Sequence, residues 1–363
     1  MRLLLCGDVM TGRGVDQILR HPSEPTLHEP YMSSARDYVA LVERVSGPVP
    51  RGVDDAYVWG EALAELARAD ARIINLETSI TRSEAWEPKG INYRMHPENV
   101  GVLVIAHVDC CALANNHVLD YGVAGLRETL AVLRGAGIAA AGAGEDEAEA
   151  WQPAVLPVPG GRVLVFAFGH GSSGIPPRWA AAEGRPGVAW VADLGDETAD
   201  MVAERVRRVK KPGDVAIASI HWGSNWGYDV PAAQVRFARR LVAAGVDLVH
   251  GHSSHHPRPI EVCEGRLILY GAGDLINDYE GISGHEAYRS ELSLLYFPTL
   301  APDGRLEALE LVPVRRQGLQ LRRAAPEEAR WLADLVNRIS APFGFSVALG
   351  PRRTLEVRPK TGA

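Results

Sequence analysis

The chain has 363 residues, of which 46% are hydrophobic and 23% are charged, and its formal net charge is −7. This is the composition of an ordinary globular protein, large enough for one sizeable α/β domain or two average ones. The negative charge and the lack of a basic block argue against nucleic acid as a partner.

The first third of the chain predicts a strand, a long loop and a helix. Residues 2–6 are apolar and end at the Gly-rich turn GDVMTGRG, which is typical of a buried strand. Residues 20–55 are irregular, and a loop of this length in a compact domain usually acts as a lid or a binding element. Apolar residues recur at helical spacing over 56–69 and predict a helix there.

Predicted strands and helices alternate up to about residue 250, and strands dominate afterwards. Further strands are predicted over 71–81, 162–169, 215–223, 246–252, 266–274, 290–298 and, as a hairpin, 306–323. Further helices are predicted over 122–138, 196–214, 232–245 and 326–340. We expect Asp196 to cap its helix and Pro326 to open the last one. This order predicts a layered α/β domain, partly parallel and completed by antiparallel strands.

The compartment is predicted from cysteines and from the absence of targeting signals. Cys6, Cys110 and Cys111 lie in apolar, strand-like runs, so we expect buried free thiols rather than disulfides. The apolar run at the N-terminus is too short for a signal peptide. No stretch reaches about 18 apolar residues, so no membrane contact is expected. Together these features predict a cytoplasmic protein.

Five apolar strands each end in a polar cluster. The clusters are Gly7–Asp8, Asn75–Glu77, Asn115–His117, His221–Trp222 and His250–His252. Because the carboxyl ends of strands in α/β sheets meet at one crevice, we expect these clusters to form one site. Carboxylates, an amide oxygen and imidazoles are ligands for a divalent transition metal, although a single His at a strand end is more often structural.

The ordered motifs resemble a known family. They are GDVMTGRG, NLETSIT, LANNHVLDYG, HWG, GHSSHHPRPIE and LILYGAGDLIND. Between residue 2 and about residue 300 they are similar to the successive blocks of the bacterial capsule-synthesis CapA/PgsA family. That family is linked to poly-γ-glutamate and resembles calcineurin-like metallophosphoesterases. The resemblance implies a four-layer α/β/β/α sandwich with its site at the strand ends, and an association with peptide epimerisation as well as with capsule polymer.

The resemblance also implies a metal site, with departures. The residues that match the ligand set of one metal are Glu77, Asn116, His221 and His252. The second metal of a metallophosphoesterase normally uses two further histidines, and here those positions read Met10 and Ser254, unless His255 substitutes. We therefore expect at most one divalent ion, without a choice between Mn, Zn and Ca. A two-metal site and a metal-free site remain open alternatives.

A depleted metal shell would leave Asp8 available as a general base. A desolvated carboxylate has a raised pKa and suits proton abstraction from a peptide Cα, and inversion then needs an acid on the opposite face. We select His285, in a Gly-flanked loop, for that acid, although a surface-loop histidine is the more common explanation. His117 is expected beside Asn116 as an acid or anion-stabilising group, and His255 and His256 are rivals for the same role.

Substrate contacts are expected from residues in or beside the motifs. These are Arg13, Arg94, Trp226, His255 and Arg258, of which the arginines could pair with a carboxylate. A structural or solvated role is an alternative for each of them.

The sequence thus predicts one metallophosphoesterase-like domain over 1–322, with a lid at about 20–55, followed by a C-terminal helix and tail over 323–363. The favoured function is Cα epimerisation of a peptide or polyglutamyl substrate by acid/base proton transfer. A small precursor-binding protein could present that substrate. A metal-dependent phosphoesterase and a non-catalytic assembly factor for capsule polymer are the alternatives.

Overall fold

The computed structural model describes residues 1–357. Its strands are, in chain order, β1 (Leu3–Val9), β2 (Ala71–Leu76), β3 (Ser79–Ile80), β4 (Arg94–Met95), β5 (Cys110–Ala112), β6 (Ala139–Ala141), β7 (Ala143–Gly144), β8 (Ala154–Val158), β9 (Gly161–His170), β10 (Gly187–Val188), β11 (Trp190–Val191), β12 (Asp214–His221), β13 (Leu248–His252), β14 (Ile260–Cys263), β15 (Arg266–Leu269), β16 (Asp274–Ile276), β17 (Leu292–Leu300), β18 (Leu306–Arg316), β19 (Leu321–Arg323), β20 (Val347–Leu349) and β21 (Leu355–Val357). Its α-helices are α1 (Gly14–Ile18), α2 (Ala35–Ser46), α3 (Ala62–Leu66), α4 (Gly101–Ile105), α5 (Gly122–Gly135), α6 (Glu147–Ala150), α7 (Asp196–Val209), α8 (Ala232–Ala243) and α9 (Pro326–Ser340).

Two large sheets form the centre of the fold. The first has the order β20-β21-β18-β17-β1-β2-β5-β6, with β16 also paired to β1 and β19 to β18. The second has the order β11-β9-β12-β13-β15-β14, with β8 paired to β9. Strands β1, β2, β5 and β6 run parallel, as do β9, β12 and β13, so each sheet presents a row of strand carboxyl ends.

The sheets pack face to face, and helices cover their outer faces. Because successive side chains of a strand point to opposite faces of the sheet, β12 contributes to a core on each of its two faces. Val215 and Ile217 lie in the core shared with the first sheet. Ala218 and Ile220 lie in a second core with side chains of α7 and α8. On the other side, α5 packs against the first sheet through Leu126 and its apolar neighbours. The result is the predicted four-layer α/β/β/α sandwich.

Several local predictions are confirmed, and three are wrong in part. The loop expected over 20–55 contains the twelve-residue helix α2, which Ser34 caps by accepting a hydrogen bond from the Arg36 amide. The helix expected over 56–69 is reduced to the five residues of α3. Gly195 occupies the N-cap position expected for Asp196, which instead lies in the first turn of α7. There its charge still suits the helix dipole.

The C-terminal segment extends the first sheet. Helix α9 begins at Pro326 as predicted, and β21 pairs with β18. The boundary at residue 322 stays a prediction, and the end of the expected tail, 358–363, lies outside the described residues. Within residues 1–357 the four cysteines are free thiols; Cys6, Cys110 and Cys111 are buried, and Cys263 is half-buried. No helix in that range is long and apolar enough to cross a membrane.

Candidate functional site

Strand pairing brings the polar clusters together at one edge of the two sheets. In the first sheet Asp8 pairs with Asn75 on β2 on one side and with Asp274 on β16 on the other. In the second sheet His221 pairs with His252 across β12 and β13. Since β1 also packs against β13, the two sets of side chains share one buried centre.

Asp8 lies at the middle of this centre and is fully buried. The Asn75 side-chain amide donates to Asp8 Oδ1 at 2.8 Å and to Glu77 Oε2 at 3.1 Å, so it joins the two carboxylates. Asp8 Oδ2 has no hydrogen-bond partner. Burial, and then the nearby Asp274, raise the pKa of Asp8 to about 7. Burial and the Asp8 charge raise the pKa of Glu77 well above its ordinary value. Two buried acids without a neutralising cation are costly, which favours a positive group at this point.

The protonation of the histidines behind Asp8 follows from their partners. His250 Nε2 lies 2.8 Å from the Cys6 carbonyl oxygen and must donate to it. Burial lowers the pKa of His250 to about 4, so the ring is neutral and its Nδ1 accepts from the Ser219 hydroxyl at 3.1 Å. The Ser219 oxygen is then free to accept from His252 Nε2 at 3.0 Å. This chain of hydrogen bonds, the His250–Ser219–His252 relay, leaves Nδ1 of His252 without a proton and with a free lone pair.

The unprotonated Nδ1 of His252 faces a second unprotonated nitrogen, Nδ1 of His221. His221 Nε2 lies 2.9 Å from the Asn116 side-chain oxygen and donates to it, so His221 Nδ1 is unprotonated. The two Nδ1 atoms are 2.8 Å apart. Burial lowers the pKa of both rings well below the ordinary value, which disfavours a shared proton. Two facing lone pairs beside the unpartnered Asp8 oxygen are the donor set of a cation site.

Two groups of residues at the centre could hold an ion, and both include Asp8. In the first group the ligand atoms of Asp8, His221 and His252 lie within 4.8 Å of one another. In the second group the same holds for Asp8, His255 and Asp274. Asp8 therefore lies among possible ligands, and its expected role as a general base stays a prediction. The second group is already satisfied within the protein, because the Asp274 oxygens accept from His255 at 2.9 Å and from Asn277 at 2.7 Å.

The other two expected ligands lie beside the first group. Glu77 Oε1 is 3.9 Å from His221 Nε2, and the Asn116 oxygen contacts the same nitrogen. The structure thus brings all four expected residues to one place. Their role as ligands stays a prediction.

His117 forms one of two histidine–carboxylate pairs at the centre. Its Nδ1 is 2.6 Å from Asp120 Oδ2, and its Nε2 is 3.7 Å from Glu77 Oε1. Lys89 donates to Asp120 Oδ1 at 2.6 Å and to the Asn116 carbonyl, and lies 3.2 Å from His117 Nδ1. Burial lowers the pKa of His117 to about 4. The ring is therefore neutral, with Nδ1–H held by Asp120 and the Nε2 lone pair turned towards the centre.

His255 forms the second pair, with Asp274. Its Nδ1 lies 2.9 Å from Asp274 Oδ1, and its ring lines a cavity of about 430 Å³ next to the centre. Burial alone would lower the pKa of His255, but the Asp274 carboxylate outweighs it and raises the pKa. As in the first pair, the carboxylate fixes one ring nitrogen and leaves the other for chemistry.

His285 lies apart from these pairs. It is exposed, and its ring stacks on Trp226 with 3.8 Å between ring centroids. Trp226 also contacts the edge of His255, at 5.3 Å between centroids. The structure therefore places His285 on Trp226 at the rim, while His255 occupies the interior position expected for an acid. The catalytic role of His285 stays a prediction.

The three expected arginines have partners within the protein. Arg13 is buried and pairs with Glu29 at 3.0 Å and with Asp278 at 2.5 Å. Arg94 donates to the carbonyls of residues 24 and 83, and Arg258 to carbonyls of residues 224 and 229. These contacts hold loops in place, and substrate binding by the arginines stays a prediction.

Sequence reasoning missed four residues of the centre, namely Lys89, Asp120, Ser219 and Asp274. It placed His250 in one of the polar clusters but gave it no role. Asp120 could have been found from its position three residues after His117, and Asp274 from its place at the start of a strand in the last motif. Lys89 lies in an irregular segment and gives no sequence signal.

The fold and the centre define an α/β/β/α sandwich with buried carboxylates and imidazoles that could bind a metal. The sequence profile of the family described as bacterial capsule synthesis protein PGA_cap matches residues 2–279. The chain belongs to this family, as the motifs predicted.

Named relatives agree with this assignment. The chain is 50% identical to the "probable polyglutamine synthesis accessory protein" of Mycobacterium tuberculosis, over 98% of this chain and 96% of that protein. It is 26% identical to the PGA biosynthesis protein CapA of Bacillus subtilis, over 75% of this chain and 62% of that protein.

Solved structures with low identity also match. A hypothetical protein from Thermus thermophilus has a TM-score of 0.47 at 15% identity, covering 87% of this chain and 100% of that one. A 5'-nucleotidase precursor from the same organism has a TM-score of 0.45 at 16% identity, covering 90% of this chain and 55% of that one.

Proposed function

We propose that this protein is a metal-dependent enzyme that inverts the Cα centre of a residue in a peptide or polyglutamyl substrate. The observation that carries the proposal is the presence of two histidine–carboxylate pairs, His117–Asp120 and His255–Asp274, at one buried centre. The names of the two relatives refer to polyglutamine and to PGA, which supports an amide-linked substrate.

The two histidine–carboxylate pairs contact different residues of the centre. His117 Nε2 contacts Glu77, whereas His255 lies beside Asp8, and Asn75 bridges Glu77 and Asp8. A Cα placed between the pairs could lose its proton to one imidazole and receive a proton from the other. Inversion needs such groups on both faces, and each contributes roughly 10²–10⁴-fold to the rate.

Asp8 is assigned here to cation binding rather than to proton abstraction. It is buried and belongs to both possible ligand groups, so a bound ion would use the oxygen that a base needs. Asp8, His221 and His252 would hold the ion. When bound, a divalent ion acts as a Lewis acid that polarises a carbonyl oxygen. His117, whose neutral ring turns its Nε2 lone pair towards the centre, then takes the role of base that the sequence suggested for Asp8, and His255, whose pKa Asp274 raises, takes the role of acid.

A metal-dependent phosphoesterase is the second candidate. The observation that favours it is the sharing of Asp8 by two possible ligand groups, because a bridging carboxylate is compatible with a two-metal hydrolase. Both reactions need the same centre, and they differ in the fate of the substrate.

The test is incubation of the metal-loaded protein in deuterated water with blocked dipeptides and with γ-linked oligoglutamate. Mass spectrometry should find one deuterium at a Cα, and chiral analysis should find both epimers. In parallel, p-nitrophenyl phosphate is offered to the same preparation. Robust phosphoester turnover that is lost in Glu77→Ala, without Cα exchange, would replace the first candidate by the second. Neither activity would leave a non-catalytic role in polymer synthesis.

A further inference from the structure

The cavity of about 430 Å³ beside the centre has an interior end and an open end. His255 lies at the interior end and connects the cavity to Asp274 and Asp8. Tyr31, with 64% of its surface exposed, lies at the open end. A volume of this order accommodates one or two amino-acid side chains, and pockets of this size bind small ligands.

The wall of the cavity is mostly apolar. Its apolar and aromatic lining includes Tyr31, Met32, Leu41, Ile91, Trp226 and Ile282, and its polar side chains are those of Arg13, Asn225, His255 and Ser283. The hydroxyls of two further lining tyrosines are engaged elsewhere, since Tyr38 donates to Glu29 and the Tyr279 hydroxyl lies 2.9 Å from that of Tyr93. These tyrosines therefore present their rings, rather than free polar groups, to a ligand.

The charge of the cavity opposes an anionic ligand. Within the described part of the chain, Arg13 is the only Lys or Arg that lines it. Its guanidinium is bound by the carboxylates of Glu29 and Asp278 and is covered by the Tyr38 ring at 3.7 Å. Two carboxylates against one guanidinium leave no positive charge for a third, and His255, the other lining group that can carry a positive charge, is already paired with Asp274. A glutamyl side chain would be desolvated here without a counter-ion, which is unfavourable.

We infer that this cavity binds an apolar or aromatic side chain of a peptide substrate, next to the residue that reacts. The inference rests on the proposed function for the peptide nature of the ligand. It narrows that function, because it selects ordinary peptides with large apolar residues over polyglutamyl chains.

The test measures binding rather than turnover. N-acetyl-phenylalanine methylamide and N-acetyl-glutamate methylamide are titrated into the purified full-length protein and followed by ligand-observed NMR. The phenylalanine probe should bind about ten-fold or more tightly than the glutamate probe, as expected for an apolar pocket that lacks a free cation. Ile282→Arg should lower this preference about ten-fold. Ile282 is 44% exposed, so the fold should tolerate the change, and Ile105→Arg, at a 43% exposed site outside the cavity, is the matched control.

Equal binding of the two probes, tighter binding of the glutamate probe, or no binding of either at millimolar concentration would overturn the inference. An effect of Ile105→Arg as large as that of Ile282→Arg would overturn it too. Preference for the phenylalanine probe without any Cα exchange would instead leave the inference standing and contradict the proposed reaction.

Discussion

Asp8 and Asp274 occupy paired positions on the adjacent parallel strands β1 and β16, and both are buried. The two carboxylates nevertheless differ in their partners. Asp274 accepts hydrogen bonds from His255 and Asn277, whereas one Asp8 oxygen has none. Asp274 therefore orients a histidine, His255, and Asp8 has an oxygen available to bind a cation.

This difference predicts one tightly bound divalent ion per chain. The facing Nδ1 atoms of His221 and His252 need a cation, while the pair formed by His255 and Asp274 does not. Elemental analysis after purification with Mn or Zn and dialysis should give one ion in the wild type and much less in His252→Ala. Two ions at full occupancy would contradict the prediction.

Ser219 should control the affinity for that ion without touching it. Through the relay from His250, Ser219 accepts the Nε2 proton of His252 and keeps Nδ1 bare. Removal of such an indirect partner lowers metal affinity about 10–100-fold. Competition with a fluorescent chelator should show this loss in Ser219→Ala. Ser340→Ala, which removes an equally buried serine that accepts a hydrogen bond from the Ile260 amide, should leave the affinity unchanged. Equal affinities in all three proteins would refute the relay.

Part of this centre followed from the sequence and part did not. The convergence of Asp8, Glu77, Asn116 and the histidines was predictable, because parallel strands share one edge for their carboxyl ends. The last motif marks Asp274 as a candidate, but its direct pairing with Asp8 was not predictable, since β16 joins β1 over a distance of more than 260 residues in sequence. Helix α2 was not predicted because the residues before and after it have irregular, loop-like sequences.

The stability of the fold should depend on pH through Glu310, which lies on β18 and pairs with Arg2 and Arg68. Burial alone would raise the pKa of Glu310, but hydrogen bonds from Arg2 and Arg68, each 2.5 Å long, lower it below 4.5. The stabilisation is therefore present above pH 4.5 and is lost as the pH falls through the lowered pKa. Urea unfolding of Glu310→Gln should show a loss of about 1–3 kcal/mol at pH 7.

The difference between wild type and Glu310→Gln should shrink below pH 4.5, where the wild-type carboxylate also becomes protonated. Glu307→Gln, an exposed position on the same strand, is the control and should change stability little at either pH. A difference that stays constant from pH 7 to pH 3 would show that the ion pairs do not stabilise the fold.

His285 should be dispensable for the chemistry, in contrast to the role suggested by sequence alone. It is exposed and stacks on Trp226, whereas His255 is buried with Asp274. His285→Asn should retain Cα exchange within a few-fold of the wild type. His255→Asn should lose about 10²-fold or more. If the effects are reversed, the acid/base role returns to His285.

The central claim is that His117 and His255 serve opposite faces of one Cα. The most direct measurement uses the L and D forms of the same blocked dipeptide in deuterated water, with the rate of deuterium incorporation followed for each. We predict that His255→Gln abolishes exchange from one enantiomer and His117→Gln abolishes exchange from the other, by about 10²-fold or more in each case. The two-histidine account would be contradicted if each variant lost exchange from both enantiomers to the same degree. It would also be contradicted if neither variant lost exchange from either enantiomer.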